Sequence, residues 1–342
     1  MSDDVTDEFL AAASRLGANP ALVQGAGGNV SFKRDGIIWV KASGKWLVHA
    51  ESEPMLVGLD LQRVRRQLVD AADDKDAIIG AEIDPTKRLR PSIETTLHVA
   101  MPHAIVLHVH CTTTISWAVR SDAREKLPAL LQGLNWTWIP YARPGLPLTR
   151  MIESQVRNGE DVLVLANHGL VVGGETVHAA EALMEDVRHR LGGEVRSACA
   201  PASEVLGEIL AAGGYKLPRH DAVHDLATDK QNLAHVLAGT LYPDHIVFLG
   251  HGVAVLRDDE TPRDAARRVA AQNWPEPALV LVPDAGAVLR EDVSLNGEEM
   301  ALCLSLVAAR IPAGAPLTAL SRQQELDLVD WDAEKYRRNI NA

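Results

Sequence analysis

Two histidines two residues apart, His108 and His110, close the apolar run Ile105-Val-Leu-His-Val-His. If that run is a strand, alternation sends Leu107 and Val109 to one face and both imidazoles to the other, where they can share one divalent metal. A lone core histidine usually only satisfies a hydrogen bond, so a metal site needs further ligands. The stretch Asp161-Val-Leu-Val-Leu-Ala-Asn-His168-Gly169 supplies one, since a buried apolar strand delivers His168 at its rim and Gly169 lets the backbone turn close to the site. Three imidazoles leave positions open to substrate, as catalytic zinc requires. Upstream, Arg90-Pro-Ser-Ile-Glu94-Thr-Thr-Leu-His98 reads as a short helix with Ser92 as N-cap and Glu94 in its first turn, stopped at Pro102 before the histidine strand. A carboxylate there can favour the helix dipole, ligate the metal or act as general base. Its position just before the paired histidines favours the chemical roles.

The elements that must position these groups are legible around them. Residues Thr6 to Leu16 place Phe9, Leu10, Ala13 and Leu16 on one helix face, ended by Gly17 and Pro20. The glycine-rich Gln24-Gly-Ala-Gly-Gly-Asn29 invites a dinucleotide reading, but a dinucleotide fingerprint needs glycine where Val30 stands and a preceding strand, so that reading is rejected. What remains is either a backbone that approaches a ligand closely, with Asn29 as an amide donor, or a simple turn. Strands over Val30 to Lys33 and Ile37 to Lys41 flank a tight hairpin at Arg34-Asp35-Gly36. The second ends at Lys41-Ala-Ser43-Gly44-Lys45, whose ammonium, hydroxyl and backbone N–H groups suit an oxyanion if they face the Asn29 loop; otherwise the lysines are solvated and Ser43-Gly44 is only a turn. Further on come a charged helix over Asp60 to Ala72, a helix after Cys111, a strand over Trp136 to Tyr141 and a long helix over Glu175 to Arg190. Cys111 adjoins a candidate ligand, yet alternation points its side chain away from the histidine face, which makes it a small buried hydrophobe.

Five motifs occur in order: Gly28-Asn29-Val30-Ser31, Ala42-Ser43-Gly44, Pro91-Ser92-Ile93-Glu94, His108-Val109-His110 and Asn167-His168-Gly169. Together they resemble the class II aldolase/adducin superfamily across about residues 8 to 195. The wording Val40-Lys41-Ala-Ser-Gly44, Pro91-Ser-Ile-Glu-Thr95 and Tyr141-Ala-Arg-Pro-Gly145 looks most like the aldolase portion of the rhamnulose-phosphate aldolase/dehydrogenase branch. The resemblance implies a mostly antiparallel sheet flanked by helices, with Zn2+, or Mn2+ or Co2+ in its place, on His108, His110 and His168. It also implies Glu94 as the catalytic acid/base in reversible retro-aldol cleavage of a ketose or ketose phosphate through an enediolate. Asn29, Lys41, Ser43, Gly44 and Ser92 would hold the distal phosphate or other anionic end. Relatives that use phosphates carry a second serine where Ile93 stands, so this chain has one donor fewer there. Related enzymes are cyclic tetramers, which implies a homo-oligomer. A 4-epimerase, a decarboxylase on the same metal site and a metal-free adducin-like interaction module are the alternatives.

The composition agrees with a small-molecule enzyme. A chain of 342 residues has room for two cores, and its net charge of -12 lacks the clustered positive charge that nucleic acid demands. Three scattered cysteines make neither a disulfide framework nor a Cys-rich zinc module, which suits a reducing cytoplasm. The acidic start lacks the basic and apolar regions of a signal peptide, and no apolar run is long enough to span a membrane. A composition shift near Ser197-Ala-Cys-Ala-Pro-Ala-Ser203 separates a catalytic domain over residues 1–200 from a smaller α/β domain over 215–342. That second domain carries apolar runs at Ile246 to Leu249, Val253 to Leu256 and Ala278 to Val282, with helices over Pro262 to Ala271 and Gly297 to Ala309. Its chemistry is unassigned. His220, Asp221 and His224 have a spacing that a helix could turn into a metal site, although paired histidines are common in loops.

Overall fold

The computed structural model describes residues 3–86, 88–197, 199–270, 274–329 and 331. Ala271 and residues 332–342, which fall in the helix and second domain expected from sequence, lie outside them. The chain divides into two compact units, Met1–Thr114 with Arg124–Gly192, and Ile115–Ala123 with Gly193–Ala342.

The first unit is built on a seven-stranded sheet. Its strands are β1 (Asn29–Arg34), β2 (Ile37–Lys41), β3 (Leu56–Asp60), β4 (Ile105–Val109), β5 (Trp136–Ile139), β6 (Val162–Leu165) and β7 (Gly169–Gly174). They lie in the order β3-β2-β1-β4-β7-β6-β5. Only β5 and β6 are parallel, so the sheet is mostly antiparallel, as expected. The β1–β2 hairpin turns through Asp35 and Gly36, with φ of 51° and 76°, the left-handed pair that matches strand twist. Strand β3 was not distinguished in the sequence, because it runs directly into helix α2 (Leu61–Asp70), capped by the Asp60 side chain accepting from Arg63 N–H.

Helices cover both sheet faces. The even-numbered face of β4 meets the short helix α3 (Thr95–Ala100) and helix Leu146–Gln155, whose Leu97, Leu148 and Ile152 bury with Met101, Val106, Leu163 and Val171. On the opposite face, Phe9 of helix α1 (Asp3–Gly17) packs edge-on against Phe32 at 5.0 Å. Helix Val177–Leu191 approaches so closely that a Cβ on Gly174 would lie 2.9 Å from the Ala180 backbone nitrogen. The histidine face is therefore the face that α3 covers.

The second unit holds a four-stranded sheet of β8 (Tyr215–Lys216), β9 (Ala254–Val255), β10 (Leu279–Val282) and β11 (Gly286–Arg290), ordered β8-β11-β10-β9. Helix Leu295–Ala308, capped by Ser294, is buried on nearly every side in this unit's core. The apolar run Ile246 to Leu249 belongs to a helix, Pro243–Leu249, because Pro243 occupies its first turn and Gly250 ends it with φ of 86°. No described helix is long and apolar enough to cross a membrane.

Candidate metal centre

Strand β4 seats His108 opposite Asn29 of β1 and Val171 of β7, and His110 follows just past the strand end. His168 lies in the turn joining β6 to β7. Asn167 takes the left-handed conformation there, with φ of 51°, which a short polar side chain tolerates. Gly169 lets this turn lie flat on β4, since a Cβ at that position would sit 2.6 Å from the Val109 carbonyl oxygen. The outcome is that one ring nitrogen from each of His108, His110 and His168 lies within 4.8 Å of the others, all three side chains being buried.

The donor set fits a divalent metal. His108 Nδ1 lies 3.1 Å from the Leu170 carbonyl oxygen, which can only accept, so Nδ1 carries the proton and the Nε2 lone pair faces the centre. Neutral imidazoles of this kind suit zinc, with manganese or cobalt able to take its place. Among the described residues this is the one group of three or more such side chains close enough to share an ion. Cys111 is buried outside it. The second-unit spacing does not assemble a site: His220 bonds Glu299, and His224 Nδ1 accepts from Ala287 N–H.

Glu94 adjoins the same centre. Its Oε2 is 3.4 Å from His108 Nε2 and its Oε1 is 3.6 Å from His168 Nε2. Burial alone would raise its pKa, but in the metal-free centre the positive charge of any protonated ring among His108, His168 and His110, together with a hydrogen bond from Asn29, outweighs burial and holds it down to about 2. A divalent cation would act in the same direction. The carboxylate is therefore an anion at neutral pH, able to take up a proton or to coordinate.

The local backbone differs from the expected capping. Helix α3 begins at Thr95 with Glu94 in the N-cap position, and the Glu94 side chain makes no capping hydrogen bond. Ser92 Oγ instead accepts from Glu94 N–H at 3.2 Å, while the Ser92 carbonyl accepts from Thr95 N–H and Oγ1–H. Ser92 thus shapes a turn before the helix, which turns the Glu94 side chain toward the histidines instead of into the helix end.

The expected substrate-binding residues divide into two sets. Ser43, Gly44 and Ser92 come together, because Ala42 bridges Pro91, Ser43 N–H donates to the Arg90 carbonyl and Ser92 N–H donates to the Lys41 carbonyl. Asn29 lies one strand away, with Nδ2 donating to Glu94 Oε2 at 2.7 Å. Lys41 departs from expectation. Its side chain is buried, and Nζ donates to the carbonyls of Ala26 and Gly28 at 2.8 Å each, so the ammonium ties down the glycine-rich loop. A lysine at a strand end reads alike in sequence whether its head turns outward to an anion or back over carbonyls.

Two groups at the centre were not singled out from sequence. His98, wholly buried on α3, and Ser31, wholly buried on β1, extend the contacts of Asn29 away from the metal ligands. The one signal for them was the four-residue spacing of Glu94 and His98, which puts both on one helix face.

Residues 8–191 match the model of the Class II Aldolase and Adducin N-terminal domain. A curated relative, the "Uncharacterized oxidoreductase YuxG" of Bacillus subtilis (strain 168), is 30% identical over 185 residues, covering 50% of this chain and 26% of the relative. The chain therefore spans about a quarter of that protein's length. Among solved structures, the N-terminal class II aldolase domain of a conserved protein from Thermoplasma acidophilum is 25% identical, with a TM-score of 0.47, covering 54% of this chain and 91% of the other. An L-fuculose-1-phosphate aldolase from Thermus thermophilus is 15% identical, with a TM-score of 0.39, covering 62% and 98% respectively.

Proposed function

Because the chain belongs to the Class II Aldolase and Adducin N-terminal domain family over residues 8–191, we propose that it is a metal-dependent aldolase. It would cleave a ketose, or ketose phosphate, reversibly into two carbonyl fragments. One observation carries this reading: three buried imidazoles within 4.8 Å of one another share their centre with a buried carboxylate held as an anion. A divalent metal held by His108, His110 and His168 would supply Lewis-acid stabilisation of negative charge developing on substrate oxygens.

The remaining chemistry falls to the chain. Glu94 removes and returns the proton at the carbon that becomes nucleophilic, and Asn29 anchors its Oε2, holding the carboxylate against the histidines. The Leu170 carbonyl keeps His108 in the tautomer that presents Nε2. The hydroxyls of Ser43 and Ser92 and the backbone at Gly44 bind the anionic end of the substrate. Lys41 acts one step back, by securing the loop that carries Asn29. Ile93 removes one donor from this end, which leaves a carboxylate or an unphosphorylated sugar within reach of the same pocket.

The wording of Tyr141-Ala-Arg-Pro-Gly145 and a relative named as an oxidoreductase support a finer placement beside the rhamnulose-phosphate aldolase/dehydrogenase branch. A homo-oligomer of fourfold type goes with that family reading. The test is to incubate the zinc-loaded protein with ketose phosphates and free ketoses and to trap any aldehyde released. Epimer without free aldehyde would assign a 4-epimerase, and carbon dioxide a decarboxylase. A protein without metal or turnover would be an interaction module.

A further inference from the structure

Glu94 heads a chain of four buried polar side chains whose hydrogen-bond directions are determined by chemistry. Asn29 and Ser31 are two apart on β1 and share a face, while Glu94 and His98 are four apart and share a side of α3. The two pairs face one another, all four residues being at most 5% exposed. Starting from the anion, each link follows. Glu94 can only accept, so the group 2.7 Å from its Oε2 must be the Asn29 amide N–H. The amide's other end, Oδ1, then faces His98 Nε2. Two acceptors cannot meet, so Nε2 carries a proton. Burial lowers the His98 pKa to about 3 and leaves the ring one proton only, as its two partners, one acceptor and one donor, require. Nδ1 is therefore an acceptor, and Ser31 Oγ–H donates to it at 2.7 Å.

We infer that His98 is a positioning residue, which as the Nε2–H tautomer locks the Asn29 amide with its N–H toward Glu94 and so aims the carboxylate at the metal centre. The inference rests on the proposed role of Glu94 as the base. Without His98 the carboxylate alone would select the end of the Asn29 amide that meets it, and the buried Oδ1 would be left without a donor, so the amide would no longer be held from its far end. A turned amide would set Oδ1 against Oε2, acceptor against acceptor, and Glu94 would swing away from the centre. Ser31 completes the arrangement by holding the His98 ring from behind.

The test compares His98→Leu with His98→Gln in zinc-loaded protein. A glutamine side-chain N–H reaches about the place of Nε2–H, whereas leucine offers no donor. His98→Leu is expected to lower kcat by roughly 10- to 100-fold, the worth of one hydrogen bond to a charged group, with KM within a few-fold and full zinc content. His98→Gln should recover most of the rate. In an Asn29→Ala background the leucine substitution should add less than about threefold, since both act through one amide. A leucine variant with wild-type kcat, a glutamine variant as impaired as leucine, or multiplying effects would overturn the assignment. A separate readout needs no substrate: in protein labelled with 15N-histidine, the His98 signal, identified by its loss in His98→Gln, should show Nε2 protonated and Nδ1 bare from pH 6 to 8. An Nδ1–H tautomer or an imidazolium there overturns the inference even if His98→Leu does not fold. Wild-type protein that turns over no sugar would remove the aldolase reading, while the tautomer would still decide the role of His98.

Discussion

Replacing Lys41 by methionine separates a positioning role from direct anion binding. The lysine is 2% exposed and its ammonium donates to two backbone carbonyls, those of Ala26 and Gly28, at 2.8 Å each. Each charge-assisted hydrogen bond contributes about 1.5 to 3 kcal/mol, and each carbonyl left buried without a donor adds to the loss. Removing the ammonium also removes its desolvation cost, which offsets part of this. Methionine keeps most of the volume, so the net destabilisation should be roughly 2 to 4 kcal/mol, read as a lower midpoint in urea unfolding. The loop from Gly25 to Gly28 would loosen and Asn29 with it, so kcat/KM should fall by one common factor on a ketose phosphate and on its free sugar. A loss confined to the phosphorylated substrate, with stability unchanged, would refute this reasoning and restore Lys41 as a phosphate ligand.

Three further substitutions probe the centre. His168→Ala should abolish tight binding of a divalent ion, and full occupancy by elemental analysis would remove His168 from the ligand set. Glu94→Gln should keep the metal, because three imidazoles remain, yet cut turnover by roughly 100-fold or more through loss of the base; a rate within a few-fold of wild type would reassign the proton transfer. His98 also predicts a pH dependence of stability. Burial depresses its folded pKa to about 3 against 6.5 unfolded, so below pH 6.5 the unfolded chain binds a proton that the folded chain refuses. Stability is therefore lost as pH falls from 6.5 toward 3, and His98→Gln should show a shallower loss in unfolding midpoints across that range.

What was legible in the sequence, and what was not, follows from range. The pairing of His108 with His110 depends on strand alternation alone, and the delivery of His168 on an apolar run ending at Asn-His-Gly, so both were readable locally. The β1–β2 hairpin was readable for the same reason. Ser92 was misjudged because a serine that caps a helix and one that bonds the N–H two residues on share one local pattern; only the position of Thr95 as first helical residue decides between them. The direction of the Lys41 side chain depends on a loop thirteen residues earlier, which no local pattern encodes. The spacing from Glu94 hints at His98, but its contacts are not legible for a related reason, since its partners lie on another element 67 and 69 residues away. The segment Ile115–Ala123, which clusters with the second unit, looks in sequence like any helix following a strand.

The most direct test of the central claim is product analysis on zinc-loaded protein offered ketose phosphates and free ketoses, with a trap for released aldehydes. Metal-dependent carbon–carbon cleavage by Glu94 and the three histidines predicts two carbonyl fragments in equal amounts, lost on chelation and restored by zinc. Turnover that survives complete removal of metal, or a bound metal with no carbonyl fragment released from any sugar, would contradict it.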